Sequence, residues 1–219
     1  MPTYKNDLRA LIAKYTEPDE ADAAFSAVLR WTGQRKPNAQ LPFLGHGGYA
    51  SAFLVGKKVL KVTRDIDDVW ASAILQNNPD KDLLKVYKVA NIVPRTLWVI
   101  LSEKLTPLSA PQRKKWKAAI PYLRLFSIFH AGLNYDAIMS AEDWIERQER
   151  ATGVTKETRF VQSLLPRLTI WSDKLSEERG IACRDVSYTN IMMRGRTPII
   201  SDLGQSFLES YPSIPTLSY

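Results

Sequence analysis

Apolar residues along this chain follow one spacing in its first half and another in its second. Leu8, Leu11, Ile12 and Tyr15 recur three or four apart, and Phe25, Val28 and Leu29 repeat that spacing after Pro18, so two short helices are expected. Gly33 to Pro42 is rich in turn formers and reads as a connector. From Phe43 to Val55 the pattern predicts a strand, a glycine turn and a second strand. Gly56 to Lys58 predicts another turn, Val59 to Val62 a short strand, and Ile66 to Gln76 a helix. Leu83 to Val93 and Arg95 to Leu101 predict two further strands, parted by Pro94.

After Pro107 the spacing turns helical. Helices are expected over Ala110 to His130, over Ala141 to Ala151, and over Pro166 to Arg179, where Leu168, Trp171 and Leu175 share a face and Gly180 marks the end. Short β runs return at Ile191 to Met193 and Pro198 to Ser201. The chain shows no internal repeat and no low-complexity tract. The class is therefore α+β, with a small antiparallel sheet and one helix up to about Leu105 and a helical remainder.

Composition narrows this only a little. A chain of 219 residues has room for one domain or two small lobes, and 45% hydrophobic with 24% charged residues excludes wholesale disorder and fibrous repeats. No apolar run approaches the ~18 residues of a membrane span, and Met1 to Lys14 lacks the apolar core of a secretory signal, so a cytoplasmic protein is expected, with no membrane partner. Cys183 is the only cysteine, and His46 and His130 are the only histidines. A disulfide within the chain and a structural zinc are both excluded, and any metal must be held by oxygen. The formal charge of +7 suits an anionic ligand without choosing one.

Three stretches carry candidate chemistry. The glycine turn at Gly45, Gly47, Gly48, Tyr49 and Ala50 lets backbone approach a phosphate closely, though a plain hairpin tip would look the same. Lys61 sits among apolar strand residues, where a buried ammonium needs an anion, and Asp67 and Asp68 at the start of the next helix are candidates to orient it. An outward-pointing strand lysine is the ordinary alternative. Asp185, Asn190 and Asp202, each beside a short β run, form the hard oxygen set that magnesium prefers, completed by phosphate and water.

In this order, these residues resemble the protein-kinase-like superfamily over about Leu41 to Ser206, most like its small phage-encoded serine/threonine kinases. Gly45, Gly47 and Ala50 fall on the three glycines of the phosphate loop, Lys61 on the strand lysine, Arg184 and Asp185 on the catalytic pair, Asn190 on the metal asparagine, and Asp202 to Gly204 on the Asp-Phe-Gly motif. Ser102 to Leu105 looks like the hinge that binds adenine, which implicates Glu103 and Leu105. The resemblance implies a bilobal kinase-like fold: a helical extension over residues 1–40, a sheet lobe over 41–105, and a reduced helical lobe over 106–219 without the late helices. It also implies ATP and Mg2+, with Asp185 and Lys61 catalytic, and a protein acceptor, a host protein if the chain is virus-encoded. Four departures stand against the pattern. The third glycine is Ala50, Cys183 replaces a histidine, Ser187 stands where a lysine is usual, and the helix glutamate is absent.

A kinase-shaped binding protein without catalysis is the alternative, and a small-molecule kinase of the aminoglycoside type shares the same site. Arg113, Lys114, Lys115 and Lys117 beside Trp116 could touch nucleic acid, but a solvated helix face is the favoured reading. The hydroxyl-rich tail from Gln205 to Tyr219 reads either as a segment that is autophosphorylated and ordered against Arg184 or as a plain unstructured terminus.

Overall fold

Alternation along the strands builds the first half of the molecule. The computed structural model describes residues 7–34, 36, 40–125, 146–147, 149–150, 153, 155–182, 188–203, 207–208 and 211–219. It divides into two units, the first comprising Met1–Asp80, Leu84–Lys104 and Tyr211–Tyr219, the second Lys81–Leu83 and Leu105–Ser210.

The first unit opens with α1 (Leu8–Ala13), whose Asp7 carboxylate accepts from the amides of Arg9 and Ala10, and α2 (Ala21–Trp31). Helix α2 ends in a Schellman motif: Gly33 at φ 85° lets Gln34 donate to the Leu29 carbonyl and Gly33 to that of Arg30. Five antiparallel strands follow, β1 (Phe43–His46), β2 (Ala50–Val55), β3 (Lys58–Thr63), β4 (Val86–Val93) and β5 (Leu97–Glu103), in the spatial order β1-β2-β3-β5-β4. Between β3 and β4 runs α3 (Ile66–Asn77). The observed strands begin and end a few residues from their expected limits: β4 starts at Val86, not Leu83, and β5 runs Leu97–Glu103 around the Pro94-Arg95-Thr96 turn. Gly56, at φ 59°, and Lys57 make the β2–β3 turn, and Lys58 already pairs with Val55.

Both faces of this sheet are covered, which is why Leu97 to Ser102 are six buried residues in succession. One face, with Phe53, Val55, Leu60, Val62, Leu97, Val99 and Leu101, packs against Leu8, Leu11, Ile12, Phe25, Val28 and Leu29 of α1 and α2 in a single core. The two N-terminal helices thus belong to the sheet's own core. The opposite face carries Ala52, Val59, Lys61, Thr63 and Ile100 and receives α3.

The C-terminal tail completes this unit. Asn91 of β4 donates its amide to the Pro215 carbonyl and accepts from the Leu217 amide, each at 2.8 Å, and Leu217 packs on the core. The unstructured-terminus reading of these residues is overturned, because the free edge of β4 needs backbone partners and the tail supplies them.

In the second unit, α4 (Ala110–Leu125) starts at a reciprocal cap, where the Ser109 amide donates to Gln112 Oε1 and the Gln112 amide to Ser109 Oγ. The rest of the helix expected up to His130 lies outside the described residues, as does most of that expected over Ala141 to Ala151, of which residues 146, 147, 149 and 150 are helical. Helix α5 is Lys156–Trp171, capped by Thr155, and passes into a π-helical turn at Ser172–Glu177 before Gly180 at φ 61°. The expectation of a helix starting at Pro166 is corrected: Pro166 lies inside α5. Proline in a helix interior costs about 3 kcal/mol, and here Val161, Leu164, Leu168 and Trp171 continue one buried face across it. Trp116 of α4 meets Phe160 edge-on at 5.7 Å and Trp171 at 6.4 Å. Short strands β6 (Thr106–Pro107), β8 (Ile191–Arg194) and β9 (Thr197–Ile200) form one sheet, and β7 (Ile181–Ala182) pairs with β10 (Phe207–Leu208). Among the described residues, no helix is long and apolar enough to cross a membrane.

Basic side chains of this unit clasp Lys81–Leu83. Arg167 donates to Asp82 Oδ1 at 2.8 Å and to the Pro198 carbonyl, Lys174 donates to Asp82 Oδ2 at 2.9 Å, and Arg194 donates to the Lys81 and Leu83 carbonyls. The hydrogen bonds from Lys174 and Arg167 lower the Asp82 carboxyl from 3.8 to about 2. Because the folded value lies below the unfolded one, the stabilisation is present above pH 3.8 and is lost as pH falls through about 2. Asp82→Asn is therefore expected to lower unfolding free energy by about 1 to 2 kcal/mol near neutral pH, after allowance for solvent screening. Urea denaturation across a pH series should show the parent and variant converging toward pH 2.

Candidate functional site

The glycine turn joins β1 to β2. Gly45 lies opposite Ala52 and His46 opposite Ser51, and the Gly47 amide closes the tip by donating to the Ala50 carbonyl at 2.9 Å. Glycine in a hairpin tip normally serves a positive φ, yet Gly45, Gly47 and Gly48 all have negative or extended φ. A Cβ added at any of them would meet nothing within 4 Å. Neither backbone strain nor internal packing explains the glycines, so what they provide is bare backbone facing open space. Tyr49 stands exposed at the tip, and its carbonyl accepts from the Arg64 amide at 3.0 Å, tying the turn to the end of β3.

Lys61 lies two strands in from that turn, directly between Ala52 on β2 and Ile100 on β5, with Val59 beside it on the same face. Its ammonium meets Asp68 Oδ2 at 2.8 Å; the Lys61 side chain is 18% exposed and that of Asp68 4%. The outward-lysine reading is thereby excluded. Of the two carboxylates expected to orient it, Asp68 makes this ion pair, whereas Asp67 occupies the first turn of α3 with its amide on Asp65 Oδ1 at 3.1 Å. Sequence reasoning missed Asp65, whose carboxylate caps α3 by accepting from the amides of both Asp67 and Asp68 and whose own amide donates to Thr63 Oγ1 at 3.0 Å. The signal was there: an Asp immediately before a helical run.

Glu103, at the end of β5, is tied to Lys85, the residue just before β4. Its amide donates to the Lys85 carbonyl at 2.9 Å, and its carboxylate accepts from the Lys85 amide at 2.8 Å. Leu105 is buried in the second unit.

Within the second unit, the β8–β9 hairpin turns at Gly195 and Arg196 and pairs Ile191 with Ile200. One step further along, Ser201 donates both its amide, at 2.7 Å, and its Oγ, at 2.9 Å, to the Asn190 carbonyl. Asn190 and Asp202 therefore stand together at the open end of the hairpin, both half-buried. An amide oxygen and a carboxylate are hard donors, so the pair fits Mg2+. Among the described residues no three His, Cys, Asp or Glu side chains gather as a metal cluster. Asp185 lies outside the described residues, together with Cys183, Arg184, Ser187 and Gly204.

Trp116 is buried at 4% exposure between α4 and α5, while Arg113, Lys114, Lys115 and Lys117 are exposed. The aromatic of that basic run is not available to stack on a base.

No family model and no curated protein matches the chain. Among solved structures, that of the GDP and kanamycin complex of APH(2")-IIia is similar at 15% identity and a TM-score of 0.40, over 82% of this chain and 74% of that one. At that score the likeness adds no weight to the geometry, and the site stands on its own residues.

The unequal burial of the ion pair has a measurable consequence. Lys61→Met leaves a nearly buried carboxylate without its cation, whereas Asp68→Asn leaves a lysine long enough to swing into water. Chemical denaturation should show Lys61→Met losing about 2 to 4 kcal/mol, more than Asp68→Asn, with most of the loss recovered in the double variant.

Proposed function

We propose that this chain is an ATP-dependent phosphotransferase that moves the terminal phosphoryl group of ATP to a serine or threonine hydroxyl of a protein. The observation that carries the reading is the Lys61–Asp68 ion pair on the face of the sheet that receives α3, beside a turn of glycines that the fold itself does not require. A pair this buried is a poor source of stability, because desolvation offsets most of its attraction. Its chemistry is better explained by holding an ammonium at a fixed place for an anion.

Each residue then has a part. Backbone amides of Gly45 to Ala50 cover the phosphates, the Lys61 ammonium holds them, and Ala52, Val59 and Ile100 supply an apolar bed for the base. Asn190 and Asp202 would hold magnesium, which when bound balances the charge of the phosphates. Asp185, by its place in the sequence, receives the acceptor's proton as the acceptor oxygen bonds to phosphorus and the bond from phosphorus to the departing ADP oxygen breaks. Most of the acceleration comes from fixed charges around the transferring group.

Ser187, where a lysine would neutralise that group, favours a second reading: a kinase-shaped protein that binds nucleotide and a partner without transfer. Turnover separates the two. With purified protein, Mg-ATP and a lysate as acceptor, Asp185→Asn is expected to lower phosphate transfer about a hundredfold or more while calorimetric Mg-ATP affinity stays within about threefold. Lys61→Met and Asp202→Ala should each weaken Mg-ATP binding at least about tenfold. Tight Mg-ATP binding by either of those variants would overturn the site, and tight binding by the parent with no transfer to any acceptor would establish the second reading.

A further inference from the structure

Helix α3 holds Asp68, and the tail holds α3. Trp70 lies two residues beyond Asp68, about 200° around the helix, so it points nearly away from Lys61. On that side the Tyr211 ring packs on the Trp70 ring at 4.4 Å between centroids. The tail then reaches the sheet edge at Asn91, which pairs across β5 at Trp98; Trp98 in turn pairs with Thr63, and Thr63 accepts from the amide of Asp65, the cap of α3. Beyond Leu217, the Tyr219 hydroxyl reaches Glu20 at the start of α2; burial, together with the Glu20 charge and hydrogen bond, raises its pKa. The same nine residues therefore touch α3, β4 and α2, all in the first unit.

We infer that Tyr211–Tyr219 is a positioning element for the Lys61–Asp68 pair, with Tyr211 bracing α3 through Trp70 from the side opposite the ion pair. A helix of 12 residues is marginal in isolation and takes its place from what it packs against. The sheet holds α3 along one flank, and Tyr211 holds another. Removing Tyr211 leaves Trp70 uncovered and lets the start of α3 move, which lengthens the distance from Asp68 to Lys61. The inference rests on the reading of Lys61 as the phosphate-gripping residue only for its effect on catalysis. Its geometric content stands without nucleotide.

The test compares the full chain with Tyr211→Ala, Tyr211→Phe and a chain ending at Ser210. Lysine reactivity toward an acetylating N-hydroxysuccinimide ester is mapped by mass spectrometry in the absence of nucleotide. Lys57, in the exposed β2–β3 turn, is the internal reference, and Lys174, paired with Asp82 in the second unit, reports general loosening. Lys61 in Tyr211→Ala and in the shortened chain is expected to react at least about threefold faster relative to Lys57, with Lys174 unchanged, and Tyr211→Phe is expected to match the parent. Mg-ATP affinity should fall in the same two variants and return with phenylalanine. Unchanged Lys61 reactivity in Tyr211→Ala, or a rise shared equally by Lys174, would overturn the inference. If the parent itself binds no Mg-ATP, the proposed function fails while the labelling still decides the role of the tail.

Discussion

The Lys61–Asp68 ion pair depends on a sheet that is stabilised from its other side. Bringing an ammonium and a carboxylate to 18% and 4% exposure costs several kcal/mol of hydration per ion, and their attraction returns only part of it. The first unit meets that cost through the period of two in its strands. Leu60 and Val62 point toward α1 and α2 and are fully buried, while Val59, Lys61 and Thr63, between and beside them, point toward α3. One face can then carry polar chemistry because the other supplies an apolar core. The two N-terminal helices, which look like an appendage in the sequence, are in this sense part of the site's foundation.

Where a structural decision was local, the sequence displayed it. The glycine turn, the strand around Lys61, the start of α3 and the β8–β9 hairpin all follow from residues within a few positions of one another. Decisions made over long separations were invisible. Arg167 and Lys174 reach Asp82 across 85 and 92 residues, and nothing near Asp82 announces that three basic side chains will converge there. Pro166 misled because its local preference is to end or begin a helix, and only the burial of Leu168 and Trp171 overrides it. The tail misled for a related reason. Its hydroxyl-rich composition resembles that of an unstructured end, but a β edge that needs partners and an exposed flank of Trp70 give it a place.

In the basic run the favoured reading, a solvated helix face, agrees with the packing. Trp116 among four basic residues resembles a nucleic-acid stripe when read as a string. Wrapped on α4, the aromatic turns inward against Phe160 and Trp171 and the cations turn outward, as an amphipathic helix requires. The string therefore records which side of α4 is buried. The net charge of +7 remains a property of the whole surface and points to no single patch.

The placement of Asn190 and Asp202 shows how little is needed to bring two candidate metal ligands to one place. Gly195, at φ 61°, permits the two-residue turn that joins β8 to β9, which fixes Arg194 against Thr197 and so Ile191 against Ile200. Burial of Ile191, Met193 and Ile200 on one face penalises any slip of that register, since moving one strand by a single residue would turn its side chains to the opposite side. Ser201 then locks the open end by placing both its amide and its hydroxyl on the Asn190 carbonyl. Asn190 and Asp202, twelve residues apart in sequence, are thus brought to the same end of the hairpin by a turn, three apolar residues of one face and one serine. The same economy holds for Lys61, which lies within β3 and whose aim is set by strand parity and by a capped helix, so that in both units the candidate residues are placed by short regular elements whose register an apolar core already enforces.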